Sequence, residues 1–162
     1  MTVTEARLHE TRTYSAPAGF AATANVTAEA YARAASDPTL FWEQAAERLD
    51  WAEPWHTAHE WDPSVGDAVP AARWFVGGQL NVAYNCVDRH VEAGRGDKVA
   101  LHFEGEPGDR IAVTYSDLQD RVSRAANALI ALGIRPGDRV VVYLPVLIET
   151  VVITLACARV GA

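Results

Sequence analysis

The sequence predicts an α/β protein with an extended N-terminal arm, several helices and the start of a mostly parallel sheet. Three patterns carry that reading. Residues 99–103 and 110–114 alternate in polarity as strands do, and Leu118, Val122, Ala125, Leu129 and Leu132 recur at helical spacing. Residues 140–144, Val-Val-Val-Tyr-Leu, form a continuous apolar run suited to a strand buried on both faces.

Residues 1–26 are rich in Ala and Thr and follow neither hydrophobic period, which predicts an extended or flexible arm. A short helix is expected from Thr27 to Ser36, with Tyr31 and Ala34 on one face. Asp37 can cap the next helix, and Pro38 suits its first turn, where a missing N–H costs nothing. Its expected apolar face is Phe41, Ala45 and Leu49. Residues 51–76 hold four of the five tryptophans, with Pro54, Pro63 and Pro70 and no sustained period. They read as a loop that wraps a larger body and is pinned by aromatic anchors, Trp74 among them. After Gly77-Gly78, Ala83, Val87 and Val91 recur every four residues and predict one buried helix face, which Gly94 ends. Asp88, Arg89 and His90 fall mostly off that face.

Gly105-Glu106-Pro107-Gly108-Asp109 joins the two alternating runs as turn chemistry, so these are a hairpin or adjacent strands. Thr114 and Asp117 match a capping box at the head of the long helix, which Gly133 closes. Pro136-Gly137-Asp138 turns the chain into the 140–144 strand. A helix then opens at Leu147 or Ile148, runs through Val151, Val152 and Leu155, and stops at Gly161. Strand and helix are two thirds of a parallel crossover unit, whose third element is a strand beside the first. No such strand precedes Ala162, so the C-terminal end is expected to be sticky, with Ile148, Val151, Val152 and Leu155 open to solvent and possible self-association through an unpaired sheet edge.

The 162 residues suit one ordinary domain, and 49% hydrophobic with 22% charged residues excludes a disordered or collagenous chain. A net charge of −7 with scattered basic residues argues against a nucleic-acid partner. Cys86 and Cys157 lack the spacing of a metal knuckle and the density of a secreted scaffold, which fits a cytoplasmic setting. No targeting peptide is legible. The run from Val140 is broken by Pro145 and falls short of the ~20 apolar residues that cross a bilayer, so no membrane span is expected.

Candidate chemistry is sparse. His56 and His59 sit three apart without a Cys partner and read as packing or surface residues. Asp88 and His90 invite an acid–base reading, yet neighbouring helix positions more often form ion pairs that dock the helix. Trp42, Trp51, Trp55, Trp61 and Trp74 read as anchors rather than a ligand cage. Arg73, Arg89, Arg121, Arg124 and Arg159 share no spacing that would make a phosphate site, and no glycine cluster is followed by a Lys-Ser or Lys-Thr pair. No catalytic, cofactor-binding or metal-binding residue is assigned.

Longer blocks are recognisable. Asp37-Pro38-Thr39-Leu40-Phe41-Trp42 with Asp50-Trp51 resembles the N-terminal segment of the AMP-forming acetyl-CoA synthetases and their propionyl and acetoacetyl relatives. Arg73-Trp74-Phe75, Gly78-Gln79-Leu80-Asn81 and Asn85-Cys86-Val87-Asp88-Arg89-His90 are similar to the next block of that family, and the last of them favours the acetyl branch. Val113-Thr114-Tyr115-Ser116-Asp117-Leu118 resembles the first core motif of the wider adenylate-forming superfamily. Leu155-Ala156-Cys157-Ala158-Arg159-Val160-Gly161-Ala162 resembles the opening of the second. Tyr143-Leu144-Pro145-Val146 departs mildly from the family's Tyr-Met-Pro-Met.

The resemblance runs in unbroken order from about residue 27 to the C-terminus. It implies an incomplete N-terminal part of the large adenylate-forming ligase domain: an arm over 1–26, a helical and wrapping segment over 27–94, and the truncated start of the AMP-binding domain over 95–162. It also implies a ligase that joins acetate, or another short carboxylic acid, to ATP as an acyl-adenylate and passes the acyl group to CoA with Mg²⁺. ATP, CoA and Mg²⁺ belong to the full-length enzyme, and none is expected to bind this stretch specifically. Two other readings stand beside it: a segment of a propionyl-CoA synthetase, and a self-contained interaction module that pairs through its open sheet edge.

Overall fold

The computed structural model describes residues 11–65 and 71–162. The first ten residues of the expected arm, and Pro70 in the expected loop, lie outside them. The chain divides into two compact units, residues 1–44 and 45–162.

In the first unit, residues 11–26 are exposed and hold a one-turn helix, α1 (Ala18–Ala22), where the sequence predicted extended chain. The missed helix is a single turn with no buried face, so periodicity had nothing to register. Helix α2 (Ala28–Ser36) starts after Thr27 as expected. Asp37 Oδ1 accepts the Leu40 N–H at 2.9 Å and caps α3 (Pro38–Ala46). Leu49 lies beyond the end of α3 and is exposed, so it drops out of the expected apolar face.

The second unit begins with a hairpin where the sequence predicted a loop. Strands β1 (Thr57–Trp61) and β2 (Ala72–Val76) pair antiparallel, with His59 opposite Trp74. β1 reads Thr-Ala-His-Glu-Trp, which shows no alternation. Its pairing depends on what anchors its ends. Trp51, Trp55 and Phe75 form a triangle of rings with centroids 4.9, 5.6 and 5.3 Å apart, and Trp51 Nε1 donates to Ala46 O at 2.9 Å. Gly78 is required beside this triangle, since a Cβ there would come within 2.6 Å of the Trp51 ring. The tryptophan anchor is therefore Trp51 with Trp55. Trp74, an expected anchor, is 41% exposed and lies against the His59 ring, and Trp61 is also exposed.

Helix α4 spans residues 82–95 and contains two π-helical stretches, Tyr84–Asp88 and Val91–Arg95, the second interrupted by the non-helical Gly94 at φ +73°. Ala83 and Val87 are fully buried, as their spacing predicted. Strands β3 (Val99–Glu104) and β4 (Arg110–Thr114) form the second antiparallel hairpin. Thr114 and Asp117 complete the capping box of α5 (Tyr115–Ala131): Thr114 Oγ1 accepts the Asp117 N–H at 3.1 Å, and Asp117 accepts back from the Thr114 N–H. Gly133, at φ +91°, closes α5, and Ile134 N–H reaches Leu129 O at 3.1 Å in a Schellman geometry. Helix α6 (Ile148–Val160) follows, ending at Gly161.

The core sits around α5, which touches α4, the β3–β4 hairpin and α6. Val87, Val113, Leu118, Val122, Ala126, Leu129, Ile148 and Ala156 bury together there. Several expectations change. Ala126 replaces Ala125 at the centre of the α5 stripe and Leu132 at the helix end is exposed. Of the four residues expected in solvent, Ile148 is buried, Val152 and Leu155 pack part-buried against the core, and Val151 is exposed. Residues 140–144 are not a buried strand: no parallel pairing occurs among the described residues, and Val141 and Tyr143 stand almost wholly in solvent. A strand exists only by its ladder, and this apolar run has no neighbour to pair with in the described fold.

Unequal anchoring gives unequal costs. Trp51→Ala is expected to lower unfolding stability by about 3 kcal/mol, and Trp74→Ala by less than about 1 kcal/mol. Urea denaturation of the two variants checks this, and equal losses would refute the assignment of Trp51 as the anchor.

Candidate functional site: a polar hub joining three helices

The face of α4 beside its apolar stripe carries Asn81, Asn85 and Asp88, spaced four and three residues apart, so they line up along the helix. Each reaches a different part of the fold. Asn81 Oδ1 accepts the Tyr84 N–H at 3.1 Å and caps the start of α4, while its Nδ2 donates to Arg159 O at 3.1 Å. One side chain thus satisfies orphan groups at the head of α4 and the tail of α6. Asn85 is 7% exposed and reads the backbone of Asp50 as a strand neighbour would: its Oδ1 accepts the Asp50 N–H and its Nδ2 donates to Asp50 O, both at 2.9 Å.

Asp88 is the centre of the hub. Arg159 Nη2 donates to both of its oxygens at 2.8 Å, and Gln119 Nε2 donates to Oδ1 at 2.8 Å. Arg159 Nη1 also reaches Ser123 Oγ at 3.1 Å. The Asp88 and Arg159 side chains are only 14% and 25% exposed, so α4, α5 and α6 meet at a largely desolvated ion pair. Arg159 Nε is buried with no acceptor among the described residues. Nearby, Arg89 donates to Arg48 O at 2.9 Å and pairs with Asp50 at 3.2 Å. A cleft of about 540 Å³ opens beside the hub, between Trp51 and Tyr84. The Tyr84 hydroxyl donates to Glu92 at 2.7 Å, which raises its pKa above the ordinary phenol value.

The sequence candidates disperse. His56 bonds with Thr57 Oγ1 at 3.1 Å, and His59 faces Trp74 on the hairpin. Asp88 and His90 do not converge: His90 packs on the Tyr115 ring at 4.9 Å. Burial, followed by the charges of Arg95, Arg89 and Lys98, holds His90 below its ordinary pKa, against a smaller upward pull from Asp50. Arg73 pairs with Glu60 and Arg124 with Asp120, both on exposed faces. Cys86 is exposed and Cys157 half-buried, both as free thiols. Among the described residues, no group of three or more His, Cys, Asp or Glu gathers in metal-binding range. Sequence reasoning missed the joint role of Asp88 and Arg159. The Asn81, Asn85, Asp88 stripe was the available signal, but a partner 71 residues away is invisible to local spacing.

Residues 27–86 match the family described as acetyl-coenzyme A synthetase N-terminus, and residues 87–162 match AMP-binding enzyme. The chain is 59% identical over 156 residues to an acetyl-coenzyme A synthetase of Streptomyces avermitilis, covering 96% of this chain and 23% of that protein. It belongs, as an N-terminal portion, to the acetyl-CoA synthetase family. An acetyl-coenzyme A synthetase of Mycobacterium tuberculosis H37Rv is 56% identical over 149 residues, or 91% of this chain and 22% of the relative. The solved acetoacetyl-CoA synthetase from Streptomyces lividans superimposes with a TM-score of 0.71 at 32% identity, covering 86% of this chain and 21% of that one. The chain therefore spans about a quarter of the length of the relatives it matches. The fold it shares with them is the N-terminal part of an adenylate-forming ligase. No helix among the described residues is long and apolar enough to cross a membrane.

Two outcomes are expected, one of the hub and one of His90. Arg159→Met should cost about 3 kcal/mol by leaving Asp88 unpaired, and the double variant with Asp88→Leu should recover much of that loss, in a denaturation cycle. Folding disfavours the protonated form of His90. Its contribution is therefore complete above the unfolded value near 6.5 and is lost as pH falls from there through the lowered folded value. Urea midpoints measured from pH 7.5 to 5 should fall less steeply in His90→Gln than in the parent.

Proposed function

We propose that this chain is the N-terminal scaffold of a cytoplasmic acyl-CoA synthetase that activates acetate with ATP to acetyl-AMP and transfers the acetyl group to CoA. The observation that carries the reading is the 59% identity to an acetyl-coenzyme A synthetase over 96% of the chain. The geometry is consistent with a supporting role. Asp88, Arg159, Gln119, Asn81 and Asn85 all spend their polar groups on holding elements together.

ATP, CoA and Mg²⁺ would bind elsewhere in such an enzyme. The residues present do not fit them: the glycine clusters lack a following Lys-Ser or Lys-Thr pair, the single lysine is Lys98 on the exposed turn before β3, and no carboxylate cluster offers a Mg²⁺ site among the described residues. The chain's division into an arm (1–26), a family-specific wrap (27–94) and the opening of the AMP-binding domain (95–162) is part of the same proposal. The order of the two parts is supported by the two family matches, which meet at residues 86 and 87 rather than at 94 and 95.

Two measurements test it. The 162-residue chain alone, given acetate, ATP and Mg²⁺, should release no more pyrophosphate than a heat-killed control. A chimera in which it replaces the matching segment of the Streptomyces avermitilis enzyme should show acetate-dependent pyrophosphate release within about tenfold of the parent. A soluble, folded chimera without acetate turnover would refute the reading, as would turnover by the chain alone.

A further inference from the structure

A groove of about 630 Å³ runs between the C-terminal half of α5 and the last turn of α6. Its size falls in the range of small-molecule pockets. Ile134 and Val160 line it half-buried against the core, and Ile130, 57% exposed, continues the same apolar wall into solvent. Ser123 and Asn127 supply polar groups from α5, four residues apart and so on one face of the helix. Arg135 adds a third just beyond the helix end.

These polar groups are donors without acceptors. Ser123 Oγ accepts from Arg159 Nη1 at 3.1 Å, and its own hydroxyl proton has no acceptor among the described residues. The Asn127 amide and the Arg135 guanidinium likewise make no hydrogen bond or ion pair there, and Arg135 meets the Asp138 carboxylate only through its backbone N–H, at 2.7 Å. Among the described residues no carboxylate lines the groove. Asp88 already neutralises Arg159, so the uncompensated charge is that of Arg135. Two helix C-termini end nearby, and bare carbonyls there would repel an anion. They are covered: Leu132, Ile134 and Gly133 N–H donate to Ala128, Leu129 and Ile130 O, while Ala162 N–H and Asn81 Nδ2 donate to Cys157 and Arg159 O.

We infer that this groove is a binding site for a small aliphatic carboxylate, its head on Arg135, Asn127 and Ser123 and its tail against Ile130, Ile134 and Val160. Charge complementarity selects the head, because a cation would meet the free guanidinium and no carboxylate. The planar guanidinium fork also matches the two oxygens of a carboxylate. The apolar wall selects the tail, since a bare inorganic anion would leave that surface in water. Ser123 is bonded to Arg159, so a bound head would engage the same arginine that ties α6 to Asp88 on α4. The site does not depend on the family reading.

Titration of hexanoate into the 162-residue chain, followed by backbone amide chemical shifts, tests the site. Shifts confined to residues 123–136 and 159–160 should saturate with a Kd on the order of 1 mM. Hexylammonium, which keeps the tail and reverses the charge, and inorganic phosphate, which lacks the tail, should give no saturable shift at the same concentrations. Arg135→Gln alters an exposed side chain, so the fold should be unchanged by circular dichroism, and hexanoate should bind about tenfold or more weakly. Arg135→Lys should recover part of that loss. Absence of a saturable shift, an unchanged Kd in folded Arg135→Gln, or equal binding of hexylammonium would overturn the proposal. Phosphate binding as tightly as hexanoate would overturn it too, by showing a bare anion site. So would groove shifts that grow with protein concentration without hexanoate, by placing a second copy there.

Discussion

The Asp88–Arg159 pair is the constraint on which the arrangement of the second unit depends. It joins the middle of α4 to the last turn of α6, while Gln119 and Ser123 bring the inner face of α5 to the same point. A largely buried pair adds little net stability over well-packed apolar residues, because desolvation offsets much of the attraction. Its value here is geometric. Two oxygens and a planar guanidinium admit one relative placement of the helices, whereas the small side chains Ala83, Ala126 and Ala156 would tolerate several.

The neighbouring amides extend the same logic to the chain ends. Asn85 holds Asp50, and so fixes the path from α3 toward the Trp51 triangle. Asn81 joins the first turn of α4 to the last carbonyls of α6. A polar stripe on one helix thereby sets both the chain's path toward the β1–β2 hairpin and the exit of α6. The Asn-Cys-Val-Asp-Arg-His block distributes its work accordingly: Asn85 and Asp88 face partners, Val87 fills the core, Arg89 ties Asp50 and Arg48, and Cys86 points outward. Residues that resemble an acid–base site in one dimension form a joint in three.

The second unit also shows how a fold can be well determined in one part and open in another. The α5–α6 layer and the β3–β4 hairpin close over a shared apolar core. Residues 140–144, between the same two helices in sequence, remain bare. Rigid ends and an unsatisfied middle distinguish this segment from an ordinary surface loop, whose polar side chains would leave nothing to cover.

Local chemistry was legible in the sequence wherever it is decided within one turn or one strand. The Thr114–Asp117 box, the Asp37 cap, the closures at Gly94, Gly133 and Gly161, and the Ala83–Val87 face all depend on groups at most five residues apart. Family membership was legible too, because long ordered blocks of residue identities survive without any knowledge of contacts. Tertiary structure alone decided the rest. The β1–β2 hairpin has no period because its stability comes from rings at Trp51, Trp55 and Phe75, and Trp74 was indistinguishable from those anchors until the hairpin turned it outward. The hub required residues 88, 119, 123 and 159 to meet, and no spacing along the chain encodes that meeting. Apolar composition made residues 140–144 a strand in sequence, but a ladder is a property of two segments, and among the described residues none pairs with this one.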